Sequence, residues 1–266
     1  MELPAKEVFP VADSAPGTHS RSKVLAVLPA YNEEAGIGNL LTRIRNSMRE
    51  ASLDFEVIVV DDGSRDRTRQ ILDEWALTFP LIICSHPVNL GLGAAIRDGL
   101  YAAAERAREE DIIVTMDADE THSPGLILRM VRMIQEGFDV VIASRYQPGA
   151  RVLGVPFSRR IMSSGASWLF RILFPTPGVR DFTCGYRAYR AGVLKRAIGH
   201  YGPSFVDQNG FQCMVDIILK LRKLDVIFGE VPMLLRYDLK GGESKMRVYN
   251  TAKNTLLLLA KRRLGR

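Results

Sequence analysis

The chain has 266 residues, of which 47% are hydrophobic and 25% are charged, so it can bury a substantial core, and wholesale disorder is excluded. The formal net charge of +6 favours anionic partners such as phosphates, nucleic acid or a membrane surface, although many soluble proteins are mildly basic. Cys84, Cys184 and Cys213 show neither metal-site nor disulfide spacing, which favours a reducing, cytosolic compartment.

The amino-terminal segment, residues 1–22, mixes Pro, Ser, Gly and charged residues without periodicity, and we interpret it as a flexible tail. It lacks the apolar stretch of a secretory signal. No run in the sequence approaches the roughly 20 apolar residues that span a bilayer. We therefore expect a protein that is soluble or bound peripherally to a membrane.

From residue 24 onwards, short apolar runs alternate with stretches in which apolar residues recur at helical spacing. We predict strands at residues 24–29, 56–60, 81–84, 112–116 and 140–143. We predict helices at residues 33–51, 66–78, 91–108 and 124–136. The apolar positions of the first helix are Ile37, Leu40, Leu41, Ile44 and Met48. This alternation predicts an α/β fold with a Rossmann-like, mostly parallel sheet and helices on both faces.

After residue 145 the pattern is looser. Residues 181–190 are predicted to form a polar loop that leads into a strand or turn, followed by a helix at 207–223 and a strand at 226–231. A final helix is predicted at 244–264. We expect one catalytic domain over residues 23–245 and a basic amphipathic helix over residues 246–266.

Three polar segments each follow a predicted strand directly. They are Tyr-Asn-Glu at 31–33, Asp-Asp-Gly-Ser at 61–64 and Asp-Ala-Asp at 117–119. Ligands of open parallel sheets bind beyond the carboxyl ends of the strands. We therefore expect the fold to gather these three segments at one rim of the sheet.

Asp117 and Asp119 lie two positions apart at a strand end, where they could share one hard cation. Mg²⁺ and Mn²⁺ prefer oxygen ligands and often retain phosphate oxygens in their coordination shell. A metal there would neutralise a leaving diphosphate. The alternative is a solvated acidic loop.

The segment 61–64 has the acidic side chains that recognise a base or ribose hydroxyls, or it is a turn that caps the following helix. The segment 89–93, Asn-Leu-Gly-Leu-Gly, opens the third predicted helix. Its glycines could admit an anion to the helix N-terminus, or they could serve the packing of helix against strand.

Basic residues recur after the fifth predicted strand, and some of them could hold a phosphorylated acceptor if they converge on the rim, whereas others would be solvated surface charges. The set is Arg145, Arg159, Arg160, Arg180, Arg187, Arg236 and Lys245. Two segments, 156–174 and 246–264, are basic and apolar together. Each could lie in a membrane interface or pack on the domain with a charged outer face.

Together these segments resemble the family 2 glycosyltransferases with the GT-A fold, and within them the polyprenyl-phosphate sugar synthases typified by dolichyl-phosphate mannosyltransferase. The resemblance covers residues 23–250. The matching segments are PAYNE at 29–33, VDDGS at 60–64, NLGLG at 89–93, MDAD at 116–119, SRY at 144–146, DFTCGYR at 181–187 and GESKM at 242–246.

The resemblance implies a role for individual residues. The nucleotide would be held by Pro29, Tyr31, Glu33, Asp61 and Asp117. Asp117 and Asp119 would hold Mg²⁺ or Mn²⁺ with the diphosphate, and Asp119 and Arg145 would be catalytic. Arg145, Arg236 and Lys245 would contact the acceptor phosphate.

The chain departs from the family pattern at two places. Thr121 stands where the family often has a glutamine near the metal, which leaves open whether a third side chain coordinates. Asp216 stands where the family has a glutamate.

The expected function is inverting transfer of a hexose, mannose from GDP-mannose, to a polyprenyl phosphate. The acceptor phosphate is already anionic, so the protein must supply charge compensation rather than a base. A polyprenyl-phosphate glucosyltransferase that uses UDP-glucose, a transferase with a soluble acceptor and a non-catalytic nucleotide-binding module are the alternatives. Nucleic acid is not expected as a partner, because no recognised binding motif is present.

The lipid acceptor implies a place for the protein in the cell. We expect it in the cytoplasm, peripheral on the cytoplasmic face of a membrane, where the two basic apolar segments would contact anionic lipid. A membrane-anchoring partner protein would be a further means of attachment.

Overall fold

The computed structural model describes residues 22–154, 165 and 167–237. The predicted tail, apart from Ser22, and the predicted helix at 244–264 lie outside the described residues. So do Arg159, Arg160 and Lys245.

The centre of the fold is a seven-stranded sheet with the strand order β3-β2-β1-β4-β7-β5-β8. The strands of the described residues are β1 Val24–Ala30, β2 Phe55–Asp61, β3 Leu81–Ser85, β4 Ile112–Thr115, β5 Val140–Ser144, β6 Arg151–Leu153, β7 Arg187–Arg190, β8 Phe228–Pro232 and β9 Leu234–Arg236. Strand β7 runs antiparallel to its neighbours β4 and β5, whereas the other pairs in this sheet are parallel. The mostly parallel α/β sheet is therefore confirmed. Strands β6 and β9 form a separate parallel pair.

The helices connect the strands and cover the sheet. They are α1 Ile37–Glu50, α2 Thr68–Ala76, α3 Leu92–Arg106, α4 Leu126–Gln135, α5 with described residues 165 and 167–173, α6 Ala191–Tyr201 and α7 Cys213–Leu221, with a 3₁₀ helix at Gly202–Val206. Helix α1 buries the five apolar residues that the sequence pattern singled out. The central strands are buried along nearly their whole length, because helices pack on both faces.

Two parts of the carboxyl-terminal half differ from the prediction. The helix predicted at 207–223 begins only at Cys213. The backbone before it packs against the start of α3 instead, where the carbonyl oxygen of Asn209 accepts a hydrogen bond from the amide of Gly93 at 3.0 Å. The polar loop predicted at 181–190 does lead into a strand, β7, but its antiparallel insertion between β4 and β5 was not predicted. This insertion matters for the site, because β7 starts where β4 and β5 end.

Candidate active site

In the described part of the chain, seven segments meet at one rim of the sheet. Six of them follow the carboxyl ends of β1, β2, β3, β4, β5 and β8. The seventh, residues 181–186, precedes β7 and reaches the same rim because β7 is antiparallel. The rim therefore carries the three predicted polar segments, Arg145 and Arg236.

The segments that follow β1 and β2 interlock. The amide of Asn32 donates to Ser64 Oγ at 3.0 Å, and the amide of Arg65 donates to Asn32 Oδ1 at 2.8 Å. The amide of Glu33 donates to Thr68 Oγ1 at 2.8 Å. Asn32 has a φ of 51°, a left-handed conformation that asparagine tolerates better than most residues. The interlock holds the neighbouring Tyr31 and Glu33 half-buried at the rim beside the end of β2.

Asp61 has one of the two roles that the sequence suggested for its segment, since it caps a turn, and its role in nucleotide binding stays a prediction. It is 4% exposed and pairs in register with Ala30, and its Oδ1 accepts the amide of Ser64 at 3.0 Å, so it caps its own turn. Within the part of the chain that the structure describes, Oδ2 accepts no hydrogen bond. That oxygen could therefore accept a proton donor of a nucleotide.

Asp62 has an internal role instead. Its two oxygens accept the amides of Leu90 and Gly91 at 2.8 and 2.9 Å, and Oδ1 lies 2.7 Å from His86 Nδ1. The other ring nitrogen of His86 lies 2.9 Å from Asp98 Oδ2. Asp62 therefore fixes the loop between β3 and α3.

The glycines of segment 89–93 serve packing. A Cβ at Gly93 would lie 1.7 Å from the carbonyl oxygen of Gln208, and Gly91 has a φ of 95°. The start of α3 packs against the backbone of residues 208 and 209, rather than against a strand as expected. Close backbone approach accounts for these glycines.

Asp117 faces the opening of the rim. Its side chain is 41% exposed, and a Cβ at Gly185 would lie 3.4 Å from its Oδ1. The buried His122 accepts the amide of Asp117 at its Nδ1, at 3.3 Å, and stacks on Tyr186 with ring centroids 5.0 Å apart. With Nδ1 as acceptor, the neutral imidazole carries its proton on Nε2, which lies 3.9 Å from Asp117 Oδ2. His122 and Gly185 thus border the Asp117 carboxylate.

Asp119 is oriented by Thr121. The hydroxyl of Thr121 donates to Asp119 Oδ1 at 2.6 Å, and the Thr121 amide donates to the same oxygen at 3.3 Å. Thr121 is 2% exposed. The residue that replaces the family's glutamine therefore acts on the carboxylate of Asp119.

The donor set of Asp117 and Asp119 fits a hard divalent cation, since both side chains are carboxylates at the opening of the rim. The described residues contain no group of three His, Cys, Asp or Glu side chains that could hold a metal. A cation here would therefore take further ligands from phosphate oxygens and water, as Mg²⁺ usually does.

Arg145 follows β5 directly and forms a two-point ion pair. Its Nε lies 2.8 Å from Asp181 Oδ2, and its Nη2 lies 2.7 Å from Asp181 Oδ1 and 2.5 Å from Thr183 Oγ1. Burial would raise the pKa of Asp181, but the attraction and hydrogen bonds of Arg145 lower it below its usual value. The pair is therefore ionised at neutral pH.

Arg236 reaches the same rim from β9. Its amide donates to the carbonyl oxygen of Thr121 at 3.0 Å, which joins the end of β9 to the segment that carries Asp119. Sequence reasoning placed Arg236 near an acceptor phosphate, and the structure places it beside the metal candidate. A phosphate contact of its side chain stays a prediction.

Arg187 has neither of the two roles suggested for the basic residues, phosphate binding or solvated surface charge. It is 0% exposed, and its guanidinium donates to the carbonyl oxygens of Met214 at 2.7 Å and Phe182 at 2.9 Å. It is neither a solvated charge nor a phosphate ligand at the surface. Asp216 is likewise buried, 2.5 Å from Lys220 Nζ in an ion pair one helical turn apart.

Asp181 and Glu230 hold segments at the rim in place, and their sequence context indicates this role weakly or not at all. Asp181 opens the segment DFTCGYR, but nothing in that segment indicates a partner for Arg145. Glu230, on β8, accepts the amides of Arg180 and Asp181 at 2.6 and 2.7 Å. Neither pairing is visible from spacing, because the partners lie 36 and 49 or more positions apart.

Helix α5 presents exposed apolar side chains. Trp168 is 64% exposed and Ile172, one turn later, is 53% exposed, so both lie on one face. Within residues 22–154, 165 and 167–237, no helix is long and apolar enough to cross a membrane.

The three cysteines are free thiols. Burial raises the pKa of Cys184 and Cys213 to about 12, which disfavours either as a nucleophile.

Comparison with protein families matches residues 25–197 to glycosyl transferase family 2. Among curated proteins, a polyprenol monophosphomannose synthase of Mycolicibacterium smegmatis is 30% identical, over 92% of this chain and 89% of its own length. An undecaprenyl-phosphate mannosyltransferase of Micrococcus luteus is 34% identical, over 84% of this chain and 87% of its own. A dolichol-phosphate mannosyltransferase of Pyrococcus furiosus is 32% identical over 85% of this chain, and the match spans only 59% of that longer protein.

Among solved structures, glucosyl-3-phosphoglycerate synthase from Mycobacterium tuberculosis is similar in complexes with Mn²⁺ and UDP-glucose and with Mg²⁺ and UDP. Both give a TM-score of 0.63 at 20% identity, over 92% of this chain and 80% of theirs. At this identity the similarity shows a shared fold alone.

Proposed function

Because the chain belongs to glycosyl transferase family 2, in which the α/β architecture described above is the GT-A fold, we propose that it transfers a hexose from a nucleotide sugar to a polyprenyl phosphate. The donor we propose is GDP-mannose. The observation that carries the proposal is the convergence of two kinds of group on one rim. Carboxylates that would bind a nucleotide and a cation lie beside arginines that would bind a second phosphate.

The donor half of the rim supports a nucleoside diphosphate. Asp61 offers an oxygen without a hydrogen-bond partner among the described residues, and Tyr31 and Glu33 flank it on the interlocked loops. Asp117 and Asp119 follow the end of β4, which is adjacent to β1 in the sheet. When bound there, Mg²⁺ or Mn²⁺ would neutralise charge on the departing diphosphate.

The acceptor half supports a phosphate rather than a sugar hydroxyl. An oxygen of the acceptor phosphate attacks the anomeric carbon, the bond from that carbon to the diphosphate oxygen breaks, and the nucleoside diphosphate leaves with the electron pair. Because the attacking oxygen is already anionic, no proton has to be removed. A single displacement of this kind inverts the anomeric configuration.

The chain's own residues would orient the reactants. Thr121 holds the carboxylate of Asp119, while His122 holds the backbone amide of Asp117 and Gly185 borders the Asp117 carboxylate. Arg145 and Arg236, with Lys245 from beyond the described residues, would bind the acceptor phosphate. Fixed donors of this kind act without reorganisation during the reaction.

A polyprenyl acceptor also places the protein at a membrane. We propose peripheral association on the cytoplasmic face, supported by the exposed Trp168 and Ile172 of α5 and by the exposed Arg171 between them. An aromatic residue, an aliphatic residue and a cation on one short helix are typical of an interfacial segment. Attachment through an anchoring partner protein remains a separate expectation.

The test is a matrix of donors and acceptors with the purified full chain. GDP-mannose and UDP-glucose would each be offered with a short polyprenyl phosphate, the matching unphosphorylated polyprenol and a soluble phosphorylated acceptor, with Mg²⁺, Mn²⁺ or a chelator. We expect transfer from GDP-mannose to the polyprenyl phosphate only, dependent on the cation, with inversion visible by NMR of the product. Transfer to the free alcohol or to the soluble acceptor alone would contradict the proposal.

A further inference from the structure

We infer that Asp181 is a positioning residue that aims the guanidinium of Arg145 at the acceptor phosphate. The inference rests on the proposed function, because it concerns how the same rim binds its phosphate acceptor. It also gives Arg145 a specific mode of action, as a directed hydrogen-bond donor rather than as a net positive charge.

The pairing fixes the plane of the guanidinium. The two carboxylate oxygens of Asp181 accept hydrogen bonds from Nε and Nη2 of Arg145. Asp181 Oδ2 also accepts a hydrogen bond from the amide of Arg145 at 3.1 Å. Thr183 Oγ1 binds Nη2 as well. No hydrogen bond to Nη1 occurs within the described part of the chain, and 22% of the side chain is exposed. The Nη1 edge is therefore the one that can meet a ligand.

Asp181 is itself held by the sheet. Glu230 Oε1 accepts the amides of both Arg180 and Asp181, while Gln147 donates to Glu230 Oε2 at 3.2 Å. Glu230 lies on β8, adjacent to β5, and Arg145 follows β5. A chain of contacts thus runs from a strand of the sheet to the guanidinium, so the position of Nη1 follows from the framework.

The other contacts of Asp181 complete this anchoring. Asp181 Oδ1 accepts the amides of Thr183 and Cys184 at 3.2 and 3.1 Å, and the side chain is 0% exposed. The loop continues to Gly185, whose carbonyl oxygen accepts the hydroxyl of Thr115 at 2.6 Å. Gly185 borders Asp117. The same loop therefore links the guanidinium of Arg145, which would donate to the acceptor phosphate, with the carboxylate of Asp117.

The charge of the pair allows the orienting role of Arg145 to be distinguished from attraction by its positive charge alone. The ionised pair of Arg145 and Asp181 carries no net charge, so its attraction for a distant phosphate is weak. If Arg145 acted only through its charge, removing the Asp181 carboxylate would strengthen acceptor binding. If Arg145 acts through orientation, the same change weakens acceptor binding. The two roles predict opposite signs.

The decisive variant is Asp181→Asn in the full chain, assayed with the nucleotide sugar and a short polyprenyl phosphate in detergent. We expect the acceptor KM to rise about tenfold or more, because one charged hydrogen-bond acceptor is lost, while the donor KM stays within about twofold. An acceptor KM that is unchanged or lower, or a parallel rise of both KM values, would overturn the inference.

The matched control is Asp111→Asn. Asp111 is also buried and pairs with an arginine, since Arg108 Nη2 lies 2.8 Å from its Oδ1, but it lies before β4 at the opposite end of the sheet. We expect a loss of thermal stability without a change in acceptor KM. An acceptor KM that rises equally in both variants would show a general effect of unfolding and would overturn the positioning role.

A milder variant covers the case in which Asp181→Asn does not fold. Thr183 is exposed and contacts Arg145 Nη2, so Thr183→Val should fold and should raise the acceptor KM about threefold with little change in donor KM. A wild-type acceptor KM in that variant would count against the inference. Absence of transfer to polyprenyl phosphate by the wild type would refute the proposed function, whereas an active wild type with unaffected variants would refute only the positioning role.

Discussion

The backbone amide of Arg236 donates a hydrogen bond to the carbonyl oxygen of Thr121, with a distance of 3.0 Å between nitrogen and oxygen. Thr121 in turn orients Asp119 through its hydroxyl. The last described strand is therefore tied by its backbone to the segment that carries the candidate metal ligand.

This contact separates two roles of Arg236. Arg236→Ala keeps the amide donor and removes the guanidinium, so we expect a rise of about fivefold to tenfold in acceptor KM and an unchanged dependence on the metal. Arg236→Pro removes the amide donor, so we expect the Mg²⁺ concentration for half-maximal rate to rise as well. Steady-state kinetics with varied metal and acceptor measure both. Equal metal dependence in the two variants would argue against a link through the backbone.

Loss of Asp119 should abolish transfer. For Asp119→Ala we expect a fall of at least about 1000-fold in kcat/KM, because charge on the leaving diphosphate would lose its compensation. Thermal stability should change little, since the side chain lies at the rim. Isothermal titration of the nucleoside diphosphate with and without Mn²⁺ should show that the metal no longer strengthens binding. Full activity in this variant would favour the non-catalytic alternative.

Gly185 should tolerate a small side chain and reject a branched one. A Cβ there would lie 3.4 Å from Asp117 Oδ1, which is an ordinary van der Waals contact, whereas the methyl groups of valine would crowd the carboxylate. We expect Gly185→Ala to retain activity within about threefold and Gly185→Val to lose more than about tenfold. The measurement is kcat/KM at saturating metal. Equal activity in the two variants would show that this contact does not constrain Asp117.

His86 should make stability depend on pH. Burial alone would lower its pKa, but hydrogen bonds and attraction from Asp62 and Asp98 raise it above the ordinary value of 6.5. Asp98 also pairs with Arg97, at 2.7 Å between Arg97 Nε and Asp98 Oδ1. Because the folded state favours protonated His86, this group contributes its full stabilisation below the pKa that it has in the unfolded chain. The contribution is lost as the pH rises through the pKa that it has in the folded protein.

We therefore expect the thermal unfolding midpoint to fall as the pH is raised from 6 to 9, and to fall less in His86→Asn. Circular dichroism melts at several pH values measure this. A variant whose pH dependence matches that of the wild type would exclude His86 as the titrating group. His200, exposed on α6, provides the control substitution His200→Asn, which should retain the wild-type dependence.

The exposed face of α5 should contribute to membrane association. For the double variant Trp168→Ser and Ile172→Ser we expect reduced flotation with acidic liposomes at low salt, because apolar burial in the interface is lost. Leu77→Ser is the matched control, since Leu77 is 83% exposed but lies at the end of α2, beside the other edge of the sheet. Unchanged flotation of the double variant would remove α5 from the membrane-binding surface.

Much of the fold was predictable because the pattern of apolar residues and its periodicity are local properties of the sequence. The apolar spacing of α1 identified its five buried residues, and alternating strands and helices indicated a mostly parallel sheet. The polar segments after β1, β2 and β4 could be assigned to one rim, since parallel strands place their carboxyl ends together. The matched family and the names of the relatives agree with what the motifs implied.

By itself, the sequence determined the fold class, the family and the rim at which its polar segments meet, because these follow from short-range patterns and contiguous motifs. Only the tertiary structure decided how individual side chains are used. Asp62 supports a loop, Arg187 is buried, and Arg145 is paired with Asp181. These roles depend on contacts between residues far apart in the chain, and the antiparallel insertion of β7, which brings Asp181 to the rim, has no local signature.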